Sequence, residues 1–434
     1  MTKAPSNRMA GDGVGLRAYL LLRPALQPLM RAVLRRRLRQ GKEDAARYRE
    51  KLGEPTLARP DGKLIWIHAV GLGEVLALRP LVDSLQRLRP SHHILLTSSA
   101  RSSAQVIAKN LAPGTQHQLL PLDGPEFMRR FLDHWRPDLS IWSEQDLWPG
   151  AIHDIAVRRI PLAYINARMD AGSYRKRARL SGLYRDTLRR FALVAAQDPD
   201  SALHLRNLGA EAVRTLSSLK PAALPLNVDE ADLSRLRHLL AGRRIWVAAS
   251  THADDEAAVI AAQVRLSALS PDWLLILTPR LPGRGTEVVE ALKASGLAFV
   301  QRSQGEDPVP QTAVLLADTF GELGLWYRLA EKAFIGASMG PLGGHNPWEA
   351  VCLGVPVISG PNTDNFRKDY AQLQGSGLAQ QVAPGPGADL AIAEAVGHAP
   401  SDAIHEKAQD LVSAARAATD RLAGDLISLM ETAP

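Results

Sequence analysis

The sequence predicts an α/β protein built from two doubly wound, Rossmann-like halves. Three observations lead there. Short apolar runs that end in polar turns alternate with helix-patterned segments along most of the chain. A proline-interrupted stretch at residues 219–226 divides that pattern into two similar halves. A chain of 434 residues is also too long for a single core, which makes two domains of about 200 residues each the default expectation.

Taken in order, the first half predicts buried strands over residues 63–70, 94–97, 137–142, 162–165 and 192–196. The first strand runs into a glycine turn, Gly71 to Glu74, that opens a helix over 75–88; a hydroxyl-rich turn at 98–103 leads to a helix over 104–111, and a further helix covers 201–208. The second half predicts strands over 244–250, 273–278, 314–317, 332–336 and 355–361, a helix capped at 251–256, and alanine-rich amphipathic helices from 388 to 434. The expected domains are a basic segment 1–45, a first Rossmann-like domain 46–220 and a second 221–434, with a ligand cleft between them.

Charge is unevenly placed. Residues 1–50 hold twelve Lys and Arg against four Asp and Glu, a net +8 in a chain whose total is +7, so the body is close to neutral. No apolar run reaches the roughly 18 residues of a spanning helix, and Pro24 and Pro28 interrupt the best candidate. The basic residues follow the apolar segment, which is the wrong order for a signal peptide. Such a segment reads as an interfacial element for an anionic leaflet, or as a helix packed on its own domain. Nucleic acid is not expected as a partner, because no aromatic interleaving accompanies the basic patch. The single cysteine, Cys352, excludes an internal disulfide and fits a reducing compartment.

Candidate chemistry gathers at the strand ends. The turn at 343–350 carries Gly343, Gly344, His345, Asn346, Pro347 and Glu349 inside a βαβ unit, where open parallel sheets bind ligands. Its free amides and helix dipole suit a phosphate, and Asn346 and Glu349 suit hydroxyl and amine groups; a turn that only reverses the chain is the plainer alternative. Arg280 and Arg284 could clamp a phosphate or carboxylate, Ser250, Thr251 and His252 could cradle the same group, and Glu322, within Gly321 to Leu323, could bind a ribose diol. In the first half, Glu74 is the candidate general base, although a Glu in a first helical turn is also favourable for dipole reasons. Glu144, Asp146 and Arg168 stand at neighbouring strand ends, and a second basic cluster, from Arg175 to Arg190, suits a polyanionic acceptor or a solvated helix face. His68, His252 and His345 lack clustered partners in sequence, so no metal is expected.

In this order, residues 66–74, 144–149, 166–168, 249–252, 279–280, 318–323, 343–349, 360–361 and 365–366 resemble the 3-deoxy-D-manno-octulosonic acid (Kdo) transferases of lipopolysaccharide synthesis. The resemblance covers roughly residues 45–370. It implies a GT-B fold, CMP-Kdo as donor substrate with no other cofactor, and a phosphorylated lipid A precursor as acceptor. The cytoplasmic face of a bacterial inner membrane is the implied location, with peripheral or weak anchoring. Arg280, Gly321, Glu322, Leu323, Asn346 and Glu349 fall at the nucleotide, joined by Ser250 and Thr251 from the reading above. Glu74 falls on the base that deprotonates the acceptor hydroxyl for inverting attack. Gly71, Glu144, Asp146 and Arg168 are expected on the acceptor side. Gly71 stands where the family usually has Ser, and Leu281 where it has His; further departures occur at Asp170, Ser217–Ser218 and Asp254–Asp255. A related enzyme with another sugar or acceptor is therefore the alternative.

Overall fold

The computed structural model describes residues 11–99, 114–216, 219–223, 225–398 and 402–432. The helix expected over 104–111 and the Ser217–Ser218 departure lie outside the described residues.

The chain divides into two compact units, residues 1–222 with 415–434, and residues 223–414. Each is organised on a parallel seven-stranded sheet. In the first unit the strands are β1 (Leu64–His68), β2 (His93–Ser98), β3 (Thr115–Leu119), β4 (Leu139–Ser143), β5 (Leu162–Ala167), β6 (Leu193–Ala196) and β7 (Val213–Thr215), in the order β3-β2-β1-β4-β5-β6-β7. The order reverses between β1 and β4, and that switch point is where a doubly wound sheet opens its ligand crevice.

Alternation along β1 explains the layers. Leu64 and Trp66 face a cluster with Phe131, Trp135 and Trp142, while Ile65 and Ile67 face the other side with Leu81 and Leu85. Both faces are covered, so the strand reads as a continuous apolar run. The second face is completed by Leu422, Ala423, Leu426, Ile427 and Met430 of the last helix, Asp402–Glu431. This corrects the expected span 221–434 of the second domain: its end returns to the first unit because that apolar stripe fills the first sheet's open face.

The helix expected over 75–88 forms as two, Leu72–Ala77 and Arg79–Leu88. Pro80 has no N–H to bond back into the preceding turn, so the helix restarts there.

The N-terminal helix is continuous over Val14–Arg39, with Pro24 and Pro28 inside it. Its buried side is partly polar. Arg23, 2% exposed, pairs with Asp123 and Asp154 at 2.9 Å each, and Tyr19 donates to Asp123 at 2.6 Å. Gly150 permits this approach, because a Cβ there would lie 2.2 Å from the guanidinium. Arg23→Met strands a buried carboxylate and is expected to cost about 3–5 kcal/mol of stability, read as a lower denaturant midpoint; an unchanged midpoint would show that the pair contributes nothing net.

The second unit holds β8 (Arg244–Thr251), β9 (Trp273–Pro279), β10 (Phe299–Gln301), β11 (Val314–Leu316), β12 (Lys332–Ile335), β13 (Val357–Ser359) and β14 (Ala379–Gln381), in the order β10-β11-β9-β8-β12-β13-β14. Its reversal falls between β8 and β12. Val247, Ala249, Leu274 and Ile276 build one face, and Trp246, Ala248, Leu275 and Leu277 the other.

Candidate active site

At the switch point of the first unit, β1 delivers His68 and then the turn that carries Glu74. The half-buried Glu74 carboxylate accepts from the Val70 N–H at 2.8 Å. Burial pushes its pKa up, against the lowering effect of the Val70 and Gly71 amides and of His68. A carboxylate held in this way stays a better proton acceptor than an exposed one. Gly71, beside it, is open: a Cβ there would meet nothing within 4 Å. Packing therefore does not dictate the missing hydroxyl.

The end of β4 supplies Glu144 and Asp146. Asp146 Oδ2 lies 3.2 Å from Nε2 of the fully buried His68, whose Nδ1 meets the Thr97 hydroxyl at 3.0 Å. Burial alone would raise Asp146, but the His68 bond and charge, with Trp148 and Arg177, bring it below its usual value. Glu144 has φ 65° and Asn166 φ 46°, both in the left-handed region. The Asn166 amide donates to Glu144 Oε1 at 2.6 Å, and the Tyr164 hydroxyl donates to the Glu144 carbonyl at 2.5 Å. Two non-glycine residues held in a costly conformation at adjoining strand ends are typical of a functional turn. Arg168 is exposed on the same stretch. Asn166 was legible in sequence only as part of a motif; its clamp on Glu144 joins residues 22 apart.

At the switch point of the second unit, a bulge at the end of β8 sets Ser250 at φ 56°. Gly336, after β12, has to be glycine because a Cβ would stand 2.4 Å from the Ser250 carbonyl oxygen. Asp255, fully buried, accepts from the His252 N–H at 3.0 Å and from Ala337, Ser338 and Met339 at 2.7, 3.1 and 2.9 Å. This carboxylate ties the two strand ends together. Gly343 and Gly344 then turn at φ 86° and 77°, and His345 brings its Nε2 to 3.2 Å from His252 Nε2. The histidines that stand alone in sequence thus meet across 93 positions. Among the described residues no group of three or more His, Cys, Asp or Glu could hold a metal ion.

Glu349 is largely buried, which raises its pKa, while Asn346 and Arg280 work to lower it. Asn346 Oδ1 also accepts the Trp348 N–H at 3.2 Å. Arg280 is exposed, its N–H donating to the Thr251 carbonyl at 2.9 Å, and its guanidinium has no carboxylate partner among the described residues. Leu281, next to it, is 58% exposed.

Three expectations change. The helix after the glycine turn is one turn long, Trp348–Val351. A helix that short has little dipole to offer an anion. Thr251 faces inward, fully buried, its hydroxyl directed at Glu256 at 3.4 Å. Glu322 is engaged by Arg302 at 2.7 Å and by the Thr319 hydroxyl; with Gly321, Asp232, Arg235 and Leu325 it lines a separate cavity of about 640 Å³. Leu323 begins the helix Leu323–Leu329.

Two doubly wound units, each on a parallel seven-stranded sheet with polar and charged residues gathered at its strand ends, have the architecture of the GT-B class. Comparison with known proteins narrows the class. A family model described as 3-Deoxy-D-manno-octulosonic-acid transferase (kdotransferase) matches residues 26–223. A probable mitochondrial 3-deoxy-D-manno-octulosonic acid transferase of Arabidopsis thaliana is 33% identical over 367 residues, covering 82% of each chain. The 3-deoxy-D-manno-octulosonic acid transferase of Rickettsia bellii is 33% identical over 80% of this chain and 84% of its own, and that of Bordetella pertussis 37% identical over 71% and 73%. The chain belongs to the 3-deoxy-D-manno-octulosonic acid transferase family. In fold alone it is also similar to the crystal structure of UDP-GlcNAc 2-epimerase from Neisseria meningitidis, with TM-score 0.53 and 13% identity over 84% of this chain and 99% of that one.

Proposed function

We propose that the protein transfers Kdo from CMP-Kdo to a hydroxyl of a phosphorylated lipid A precursor, with inversion, in lipopolysaccharide synthesis. The observation that carries this reading is Glu74, a half-buried carboxylate held by the Val70 amide at the switch point of the first sheet. Glu74 takes the acceptor proton as the hydroxyl oxygen bonds to the anomeric carbon. The bond from that carbon to the phosphate oxygen breaks, and CMP leaves with the electron pair. Arg280 offsets the charge on the departing phosphate, while Asn346 and Glu349 bind the nucleotide. Glu144, fixed by Asn166, and Arg168 bind the acceptor.

The test is transfer by the purified protein, with CMP-Kdo generated in place and a lipid A precursor as acceptor, read by product mass. A gain of one or more Kdo units supports the reading. No transfer by folded protein overturns it.

The N-terminal helix supports action at an anionic membrane surface, on the cytoplasmic face of an inner membrane. Val14, Leu21, Leu22, Leu29 and Val33 are exposed, Leu21 at 81%. At 3.6 residues per turn they fall within about a third of the helix circumference, opposite the buried Leu16, Arg23 and Leu34. Exposed Arg17 and Arg35 flank this stripe, and exposed Arg39 continues it at the C-terminal end of the helix. Among the described residues no helix is long and apolar enough to cross a membrane, so the stripe is read as lying in the interface. Leu22→Glu with Leu29→Glu is expected to abolish co-sedimentation with vesicles containing phosphatidylglycerol, and added salt to weaken the wild type. Undiminished sedimentation of the double variant would sink the idea.

A further inference from the structure

We infer that His252 locks the tautomer of His345, so that His345 presents a neutral Nδ1–H, alongside Arg280, to an anionic oxygen of the sugar donor. The inference rests on the reading of this switch point as the donor site.

The tautomers follow from the bonding pattern. At the start of the helix Ala253–Leu269 the His252 ring is turned to the Asp255 N–H, and the Asp255 carboxylate accepts the His252 N–H at 3.0 Å. A backbone N–H only donates, so the ring nitrogen facing it carries a lone pair. His252 Nε2 is the atom that meets His345, which leaves Nδ1 for the Asp255 amide. The His252 proton therefore sits on Nε2 and is donated to His345 Nε2 across 3.2 Å. His345 accepts there, and its own proton sits on Nδ1.

Nδ1 of His345 has no hydrogen-bond partner among the described residues, and it is not among the sealed, unsatisfied atoms of the interior. It is a donor open to solvent. The surrounding groups hold the ring neutral. Adding a proton to Nε2 would oppose it to the His252 N–H, and Arg280 adds a second positive charge nearby. Asp255, the opposing charge, is already committed to four backbone amides, and the Tyr370 hydroxyl approaches only the His345 carbonyl, at 3.4 Å. Burial first, then Arg280 and His252, depress the His345 pKa to about 4. A neutral donor beside an unpaired guanidinium adds a directed hydrogen bond to an anion without a second full charge to delay its departure.

Both the nucleotide phosphate and the sugar carboxylate offer such an oxygen, and the probes separate them. Long-range ¹H–¹⁵N spectra of the full chain at neutral pH should show Nε2–H for His252 and Nδ1–H for His345. CMP carries the phosphate alone and free Kdo the carboxylate alone; whichever shifts the His345 Nδ1 signal identifies the oxygen. With that ligand, His345→Asn keeps an N–H near the Nδ1 position and should bind within about threefold of wild type, whereas His345→Gln places it near Nε2 and should bind about tenfold more weakly. Opposite tautomers, a signal unmoved by either ligand, or equal losses in the two variants would overturn the inference. A wild type with the expected tautomers and binding that transfers no Kdo would sink the transfer reading and leave this one standing.

Discussion

Glu74→Gln is expected to lower kcat for transfer by roughly 10²–10⁴-fold, the usual contribution of a positioned general base. The substitution preserves size and leaves an oxygen for the Val70 N–H, which Glu74 Oε2 now accepts at 2.8 Å. The amide nitrogen cannot take a proton, so the acceptor hydroxyl meets a group of the right shape and the wrong chemistry. Donor affinity should not change, because the groups assigned to the nucleotide belong to the second unit. The pH profile supplies an independent check. Glu74 works when deprotonated, so kcat/KM falls as pH drops through its pKa in the folded enzyme. Burial raises that pKa, so the acid limb of the wild type should lie above the ordinary carboxylate range and should disappear from the residual activity of Glu74→Gln. Full activity in the variant, or an acid limb that persists unchanged, would assign the base elsewhere.

Arg280→Gln should weaken CMP binding by roughly ten- to a hundredfold, the equivalent of a lost charge-assisted hydrogen bond worth about 1.5–3 kcal/mol. No carboxylate among the described residues pairs directly with Arg280, so the loss of an ion pair does not enter the result. It also acts on its neighbours. Arg280 lowers the pKa of the largely buried Glu349 against the dominant effect of burial, so removing it raises Glu349 further and extends the pH range over which that group is protonated. Arg280→Lys should fall between the two, since an ammonium keeps the charge but loses the planar fork. Calorimetric titration with CMP reads all three proteins; wild-type affinity in Arg280→Gln would remove Arg280 from the donor site.

The placement of these groups was legible before any coordinates. Glu74, Glu144, Asp146, Ser250 and Arg280 each stand at or just past the end of an apolar run, and polar residues there lie at the ligand end of a parallel sheet; Asn346 and Glu349 stand further on, on the glycine turn after β12 and the short helix that it opens. Their engagement was not legible. Glu322 has the same sequence signature, yet its carboxylate is held by Arg302 and Thr319. Thr251 sits on the right strand end but turns into the core.

By itself the sequence determined the two doubly wound sheets, because strands covered on both faces must be apolar throughout and announce themselves as β1, β2, β4, β5, β6, β8, β9, β11, β12 and β13 do. The strands it did not announce are β3, β7, β10 and β14, the two edges of each sheet. In β14 the edge is open, and Gln380 and Gln381 stay exposed; in β3 the polar His117 and Gln118 are buried, His117 on the Ser98 hydroxyl, so that strand carries no apolar run to announce it. Only the tertiary structure decided that the last helix closes the first sheet, that Asn166 clamps Glu144, and that His252 and His345 meet. Each of these contacts joins residues that no local periodicity relates. The topology that brings successive strand ends to one edge of a sheet creates them, and that topology is a property of the folded chain.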